Sequence, residues 1–391
     1  MARNSDFYQG RRQKRNYWLI PFVLLVGLLT LLVVLFYGMQ KYAVISDDKV
    51  KVVFADSESA EEIVSQNAVE TNMVFDSVVP EIVFQAPDYS RVVATAGRRV
   101  RPLRAVYISS GELSEDRLQN AAASLVDGNA LLLEMKPRSG QLMWNSKASL
   151  AVSYGLSTDN DFTNSLPSLI PGLKTREDGK EVYLAAQISC FIDEMLANRS
   201  TQYALRTETG FNYSDENGTW LDPYNSEVRN YIIDLARELF DMGFDEVVLA
   251  DVMHPVGASM QTVEGETIKA KFLYTREMST EPDPVTAICG FAVYAADQLK
   301  DRSGGLLSIY TDSPQSLVKT NEDSGQNAVL FMKIYDRVYY RTDRYTYTYN
   351  LQDMEGSVPY GDVHNRFVPV VINLIPHDNS SWVYIEQLAE G

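Results

Sequence analysis

The stretch Thr219–Pro255, TWLDPYNSEVRNYIIDLARELFDMGFDEVVLADVMHP, decides the fold. Its middle predicts an amphipathic helix over Glu227–Met242, with Ile232, Ile233, Leu235, Ala236, Leu239 and Phe240 along the buried side. Gly243 ends it, because a helix closes most easily on a residue that accepts left-handed backbone. Glu246–Ala250 (EVVLA) then reads as a strand. Its apolar run is continuous rather than alternating, the pattern of a strand covered on both faces.

The same alternation extends in both directions. Upstream, Arg104–Ser109 (RAVYIS), Asn129–Met135 (NALLLEM) and Glu181–Phe191 (EVYLAAQISCF) read as strands, and Ser114–Val126 as a helix with Ser114 as its N-cap. Downstream, Pro284–Lys300 reads as a helix and Leu306–Tyr310 (LLSIY) as a strand. Ala328–Lys333 and Arg337–Tyr340 (RVYY) are β-like, and Phe367–Leu374 (FVPVVINL) is a further strand. Buried strands alternating with amphipathic helices imply parallel β/α units, in a barrel or a doubly wound sheet. No glycine-rich phosphate loop follows the first strand, which disfavours a nucleotide-binding sheet.

The N-terminal part differs. Tyr17–Tyr37 (YWLIPFVLLVGLLTLLVVLFY) carries no charge, and about 20 such residues span a bilayer as a helix. Tyr17, Trp18 and Tyr37 stand where interfacial aromatics lie. Arg3, Arg11, Arg12, Lys14 and Arg15 precede the run against Asp6 alone, which places residues 1–16 in the cytoplasm and the remainder outside. The alternative is a cleaved signal peptide, but the run exceeds the usual apolar core of roughly 7–15 residues, with no A-x-A-like site after it. Residues 38–101 read as a stalk, and 102–391 as the folded domain. The whole chain carries a net charge of −17 although its first 16 residues are basic, so the acidic excess lies beyond that tail; such a surface repels nucleic acid and anionic lipid. Cys190 and Cys289 are either a disulfide or two buried thiols. His254, His364 and His377 are scattered, so neither a metal site nor a cofactor is expected.

Against this background the chain resembles the putative glycosyl hydrolase domain family, bacterial (β/α)8 barrels often tethered by an N-terminal membrane helix. Trp220, Asp222, Pro223 and Tyr224 match the start of the family's signature block; Gly243, Phe244, Asp245 and Glu246 match its turn into the fourth strand, and Pro255 its end. Leu132–Lys136 with Gly140 is similar to the second strand, Val182–Asp193 to the third, and Asp336–Tyr340 to the sixth. The resemblance covers about residues 102–345 and implies a TIM barrel. The chain stops soon after residue 386, so the barrel is expected to be incomplete or irregular at its C-terminal end, or to be closed by a strand from the stalk. The family's fourth-strand acid falls on Ala250, with Asp251 one place later; its arginines fall on Met253 and Gln187; and its last-strand motif is replaced by VPVVIN.

Glycoside hydrolysis uses two carboxyl groups flanking the scissile bond, and a barrel carries them at the C-terminal ends of its strands. Glu134, Asp193, Asp251, Asp312 and Asp336 are the candidates, with Glu134 and Asp251 as the catalytic pair. A one-residue slip along a strand turns a side chain to the other face, so Asp251 needs a bulge or a strand end to aim it inward. Lys136, Gln187, Asp193, Trp220, Tyr224, His254, Asp312 and Tyr339 are the candidate substrate contacts. Trp220 and Tyr224 offer rings for stacking on a sugar, as do the C-terminal tyrosines Tyr339, Tyr340, Tyr345, Tyr347 and Tyr349. Asp222 reads as the cap of the following helix. The expectation is a membrane-anchored extracellular protein that hydrolyses or binds a polysaccharide. The alternatives are a degenerate barrel that binds a glycan or a protein, and a tethered assembly or sensor factor.

Overall fold

The computed structural model describes the strands Ala43–Ser46 and Lys49–Val52 and residues 100–386, apart from 126–127, 177, 257–260, 264–265, 269–271, 275–282, 302–303, 313, 343–345, 358–362 and 374–380. The chain divides into two units, Met1–Glu81 and Ile82–Gly391. In the first, the two strands form an antiparallel hairpin with Ala43 opposite Val52. Residues 17–37 lie outside the described residues, and no described helix is long and apolar enough to cross a membrane.

The second unit is a closed barrel of eight parallel strands. They are β1 (Arg104–Ile108), β2 (Ala130–Lys136), β3 (Tyr183–Ser189), β4 (Glu246–Ala250), β5 (Leu306–Thr311), β6 (Arg337–Thr342), β7 (Phe367–Ile372) and β8 (Trp382–Ile385). They pair in chain order, and β8 closes on β1 with Trp382 opposite Arg104. The main connecting helices are α1 (Glu115–Ala123), α2 (Asp161–Leu173), α3 (Ser226–Met242), α4 (Pro284–Gln298), α5 (Ala328–Ile334) and α6 (Tyr347–Ser357). The barrel is thus complete in strands. The closing strand comes from the C-terminal segment, not from the stalk, and no helix lies between β7 and β8 among the described residues.

Two packing layers follow from the period-two alternation of each strand. Leu132, Ala185, Val248, Tyr310, Tyr339 and Val370 belong to the core inside the barrel. Their neighbours Leu131, Ala186, Val247, Ile309, Val338 and Tyr340 pack outward on the helices. Small interior residues, Ala105, Ala130, Ala185 and Ala250, offset the large Tyr310 and Tyr339.

Several local readings change. The helix after Trp220 is capped by Asn225, whose side chain accepts from the amides of Glu227 and Val228. Asp222 instead accepts from the Tyr224 amide at 2.8 Å and holds the turn before it. Ala328–Ile334 is a helix, not β structure; Asn327 caps it by accepting from Leu330 N at 2.9 Å. Helix α2 contains Pro167 and Pro171, which remove backbone donors, yet it buries Leu166, Ile170 and Leu173 at helical spacing. Cys190 and Cys289 are buried thiols not joined in a disulfide, and burial pushes the Cys190 thiol well up.

The bottom of the barrel is sealed by a buried ion pair. Glu246 and Arg337, on β4 and β6, form it with side chains 0% and 3% exposed. Ser308 Oγ and Tyr339 OH donate to Glu246 Oε1 at 2.6 and 2.8 Å, and Tyr183 OH donates to Oε2 at 3.0 Å.

Candidate functional site at the barrel mouth

A cavity of about 310 Å³ opens at the C-terminal ends of the strands, lined by Tyr107, Glu134, Lys136, Arg138, Gln187, Ser189, Ala250, Asp251, Tyr310, Asp312, Arg341, Val370 and Ile385. Strand parity accounts for most of this set. Glu134 stands two places beyond the interior residue Leu132, Gln187 two beyond Ala185, Asp312 two beyond Tyr310, and Arg341 two beyond Tyr339.

Asp251 breaks the parity. Ala250 already points inward, so the next residue of a continuing strand would face the helices. Asp251 instead adopts φ 52°, one of two non-glycine residues with positive φ among the described residues. That left-handed turn at the strand end re-aims its carboxylate into the mouth, a conformation that aspartate tolerates better than most residues. There it meets Arg138, whose Nη2 donates to Oδ1 at 2.6 Å and whose Nε lies 3.1 and 3.2 Å from the two oxygens. Ser189 Oγ donates to Oδ2 at 2.7 Å. Both oxygens of Asp251 are therefore engaged by the protein, and Arg138 Nη1 is held in turn by Asn217 Oδ1 at 2.9 Å.

Asp312, at the end of the adjacent strand, is in the opposite condition. Its Oδ2 is shut off from solvent and has no hydrogen-bond partner among the described residues. Burial, and then the negative charge of Asp251, push its pKa up to about 7, against the opposing pull of Arg138, Arg341 and Gln326. Gln326 Oε1 accepts from the Asp312 amide at 3.1 Å and fixes the backbone.

Glu134 lies on β2, three strands away from Asp312 in the barrel order. The amide and hydroxyl of Ser110 donate to its Oε2 at 2.9 and 2.7 Å. Tyr107 stands beside it, and burial together with that carboxylate drives the phenol upward. Lys136 follows after a register shift between β2 and β3. Its Nζ pairs with Asp193 Oδ2 at 2.9 Å and donates to Ser189 O at 2.7 Å, with both charged side chains fully buried. Asp193 also caps a short helix through Leu196 N at 2.8 Å. Gly140 has φ 86° and passes so close that a Cβ there would stand 1.9 Å from Asp193 Oδ1.

The mouth thus gathers Glu134, Asp251, Lys136, Gln187 and Asp312 from the sequence candidates. Other candidates lie elsewhere. Trp220 is 1% exposed and packs in the outer core, so its ring has no open face for a sugar. Tyr339 is buried beneath the mouth, stacked on Tyr310 at 6.2 Å and bonded to Glu246. Asp193 is consumed by Lys136 and by its cap. Tyr224 donates to Asp283 O at 2.6 Å, and His254 is bonded to Tyr274 OH at 3.1 Å; neither lines the cavity. Asp336 sits at the opposite end, where its Oδ2 accepts from Leu307 N at 2.9 Å. Tyr340 stacks on Phe367 outside the barrel, Tyr345 is outside the described residues, and so are the side chains of Tyr347 and Tyr349. Met253, in place of the family arginine, packs against the outer core. No group of three or more His, Cys, Asp or Glu suited to a metal ion occurs among the described residues.

Sequence reading missed Arg138, Ser189, Tyr107, Tyr310 and Arg341. Arg138 was visible in the KPRSG loop, two places past Lys136, and Arg341 two places past the interior position of Tyr339. Ser189 needed the Asp251 turn to acquire a role.

A (β/α)8 barrel with three carboxyl groups at the mouth defines the class. The sequence profile described as a putative glycosyl hydrolase domain matches residues 105–340, and the chain belongs to that family. No curated protein matches the chain by sequence. Among solved structures, a hypothetical protein from Ruminiclostridium thermocellum is similar at 22% identity and TM-score 0.41, over 52% of this chain and 96% of that one. Ega3 of Aspergillus fumigatus, in complex with galactosamine, is similar at 12% identity and TM-score 0.37, over 71% and 79%. An α-galactosidase from Thermus thermophilus is similar at 13% identity and TM-score 0.42, over 76% of this chain and 60% of that one.

Proposed function

We propose that this protein is a glycoside hydrolase that acts at its barrel mouth on the end of a cell-envelope or extracellular glycan, with Asp312 as proton donor and Glu134 as the opposing carboxylate. The observation that carries the reading is the contrast between Asp251 and Asp312. Both oxygens of Asp251 are taken up by Arg138 and Ser189, which hold its negative charge in place. Burial, and then that charge beside it, keep a proton on Asp312 up to about pH 7, the condition of a general acid. Asp312 gives that proton to the glycosidic oxygen as the C–O bond breaks. Glu134, across the mouth, either attacks the anomeric carbon or takes the proton of the water that does. Asp251, one of the catalytic pair expected from sequence, is thereby a positioning residue. The cavity volume is at the lower end of the roughly 300–1,000 Å³ typical of ligand sites, which suits one end of a chain better than a long open cleft.

Anchoring belongs to the same proposal. The uncharged run Tyr17–Tyr37 and the basic residues before it support a single span with the barrel outside the cell. Resistance of the full chain to alkaline extraction, and digestion of the barrel by protease added to intact cells, test this part. The catalytic part is tested by incubating the full chain in detergent with a panel of envelope glycans, following both binding and new reducing ends. Asp312→Asn and Glu134→Gln should each cut hydrolysis at least about 100-fold while binding persists. Binding without any release of reducing ends by the unaltered chain would establish the degenerate, glycan-binding alternative instead.

A further inference from the structure

Strand β6 carries two arginines on the interior face of the barrel, Arg337 at the bottom and Arg341 at the mouth. They are treated oppositely. Arg337 is enclosed and matched by the Glu246 carboxylate, and its Nη2 donates to Arg101 O at 2.7 Å. Arg341 is exposed, lines the cavity, and has no hydrogen bond or ion pair within the described residues. The other two cations of the mouth are already committed: Lys136 to Asp193, and Arg138 to Asp251.

Asp312 is the nearest acid by topology. Thr311 is opposite Tyr340 in the β5–β6 ladder, so the same register carried one step further sets Asp312 beside Arg341. The two do not pair, and Asp312 Oδ2 stays without a partner. The mouth therefore presents a guanidinium fork and a carboxyl group, side by side and unconnected. The Gln187 amide, on the far side of Asp251, is also free of protein partners among the described residues. A guanidinium fork fits a carboxylate or phosphate through two parallel hydrogen bonds. The chain as a whole carries −17, so its long-range field does not favour anions, and any preference for one must be local.

We infer that the mouth selects an acidic sugar, with Arg341 binding the carboxylate or phosphate of the unit that enters the cavity. This rests on the glycan reading above and names its substrate class. Arg341 is then the specificity-determining residue, and a neutral sugar leaves its fork without a partner.

The test measures binding of glucuronate, glucose 6-phosphate and glucose to the full chain in detergent, by titration calorimetry or ligand-observed NMR. The expected result is at least about tenfold tighter binding of one acidic sugar than of glucose, as a charge-assisted bidentate contact gives. The two acidic probes tell a carboxylate site from a phosphate site. Arg341→Gln should bring the ratio of acidic to neutral affinity close to one, and Arg341→Lys should retain part of it. Equal binding of all three sugars by the unaltered chain, or an unchanged ratio in Arg341→Gln, overturns the inference while the glycan reading stands. Absence of binding by every sugar and by the envelope glycan panel overturns both. Thermal unfolding of Arg341→Gln close to that of the unaltered chain is expected, because an exposed, unpaired arginine holds nothing else in place.

Discussion

Replacing Glu246 by glutamine tests the physical account of the barrel at its most enclosed point. Four donors converge on this carboxylate: Ser308 Oγ, Tyr339 OH, Tyr183 OH and Arg337 Nη1. The charge of Glu246 outweighs the cost of burying Arg337, for burial alone would lower the guanidinium pKa, and Glu246, then Tyr339 and Tyr183, raise it instead. In Glu246→Gln one acceptor oxygen becomes an NH2 donor facing other donors, and Arg337 keeps its charge with no counter-ion. Breaking one side of a buried pair costs about 3–5 kcal/mol. The hydroxyls that lose an acceptor add to this, but they rotate, so the sum stays near that range. Urea unfolding of the full chain in detergent, followed by tryptophan fluorescence, measures the loss directly. Trp144, Trp220 and Trp382 are all buried in the barrel unit and report its opening. The double replacement Glu246→Leu with Arg337→Met is the control, and should recover most of the loss because no charge is left unpaired. A loss below about 1 kcal/mol in the single variant, the range of an exposed ion pair, would refute the claim that this pair seals the barrel.

Asp312 makes a pH prediction with a definite sign. Folding raises its pKa from 3.8 to about 7, so between those values the native state holds a proton that the unfolded chain has released. Stability relative to Asp312→Asn therefore falls as pH rises from about 4 to 7 and is level above it, as thermal unfolding at a series of pH values should record. Gly140→Ala should lower stability by at least about 2 kcal/mol in the same assay, since it meets both a left-handed backbone and the Asp193 carboxylate. Asn225→Ala removes the cap of α3 and should cost about 1 kcal/mol, without altering ligand affinity at the mouth.

The elements that were legible in the sequence have one pattern each and little competition. Helix α3 and strand β4 combine a helical stripe, a terminal glycine at φ 106° and a short apolar strand. Helix α2 was not legible because its prolines and polar residues argue for a loop, and only the packing of Leu166, Ile170 and Leu173 overrides them. Helix α5 is too short and too uniformly apolar for periodicity to separate helix from strand. Strand β8 has four residues, and its partner β1 lies at the other end of the barrel sequence, so local pattern does not announce it. The glutamate and lysine of β2 were legible at the mouth because strand parity alone puts them there. Arg138 and Ser189 were not, since their roles depend on a backbone turn elsewhere.

That turn also explains how the site departs from its family without losing its acids. With alanine at position 250, a regular strand would leave the mouth short of one carboxylate and send Asp251 into the helix layer. The left-handed conformation of Asp251 returns the carboxylate to the cavity from the next position, at a cost of about 1–2 kcal/mol. Arg138 and Ser189 hold it there with short hydrogen bonds. The displaced acid thus has neither oxygen left without a protein partner. Its remaining influence is electrostatic, and it falls on the adjacent strand end, where Asp312 is enclosed and without a partner. In the function proposed above, Asp312 on β5 therefore carries the proton, and Arg341 on β6 is the neighbour that meets whatever enters.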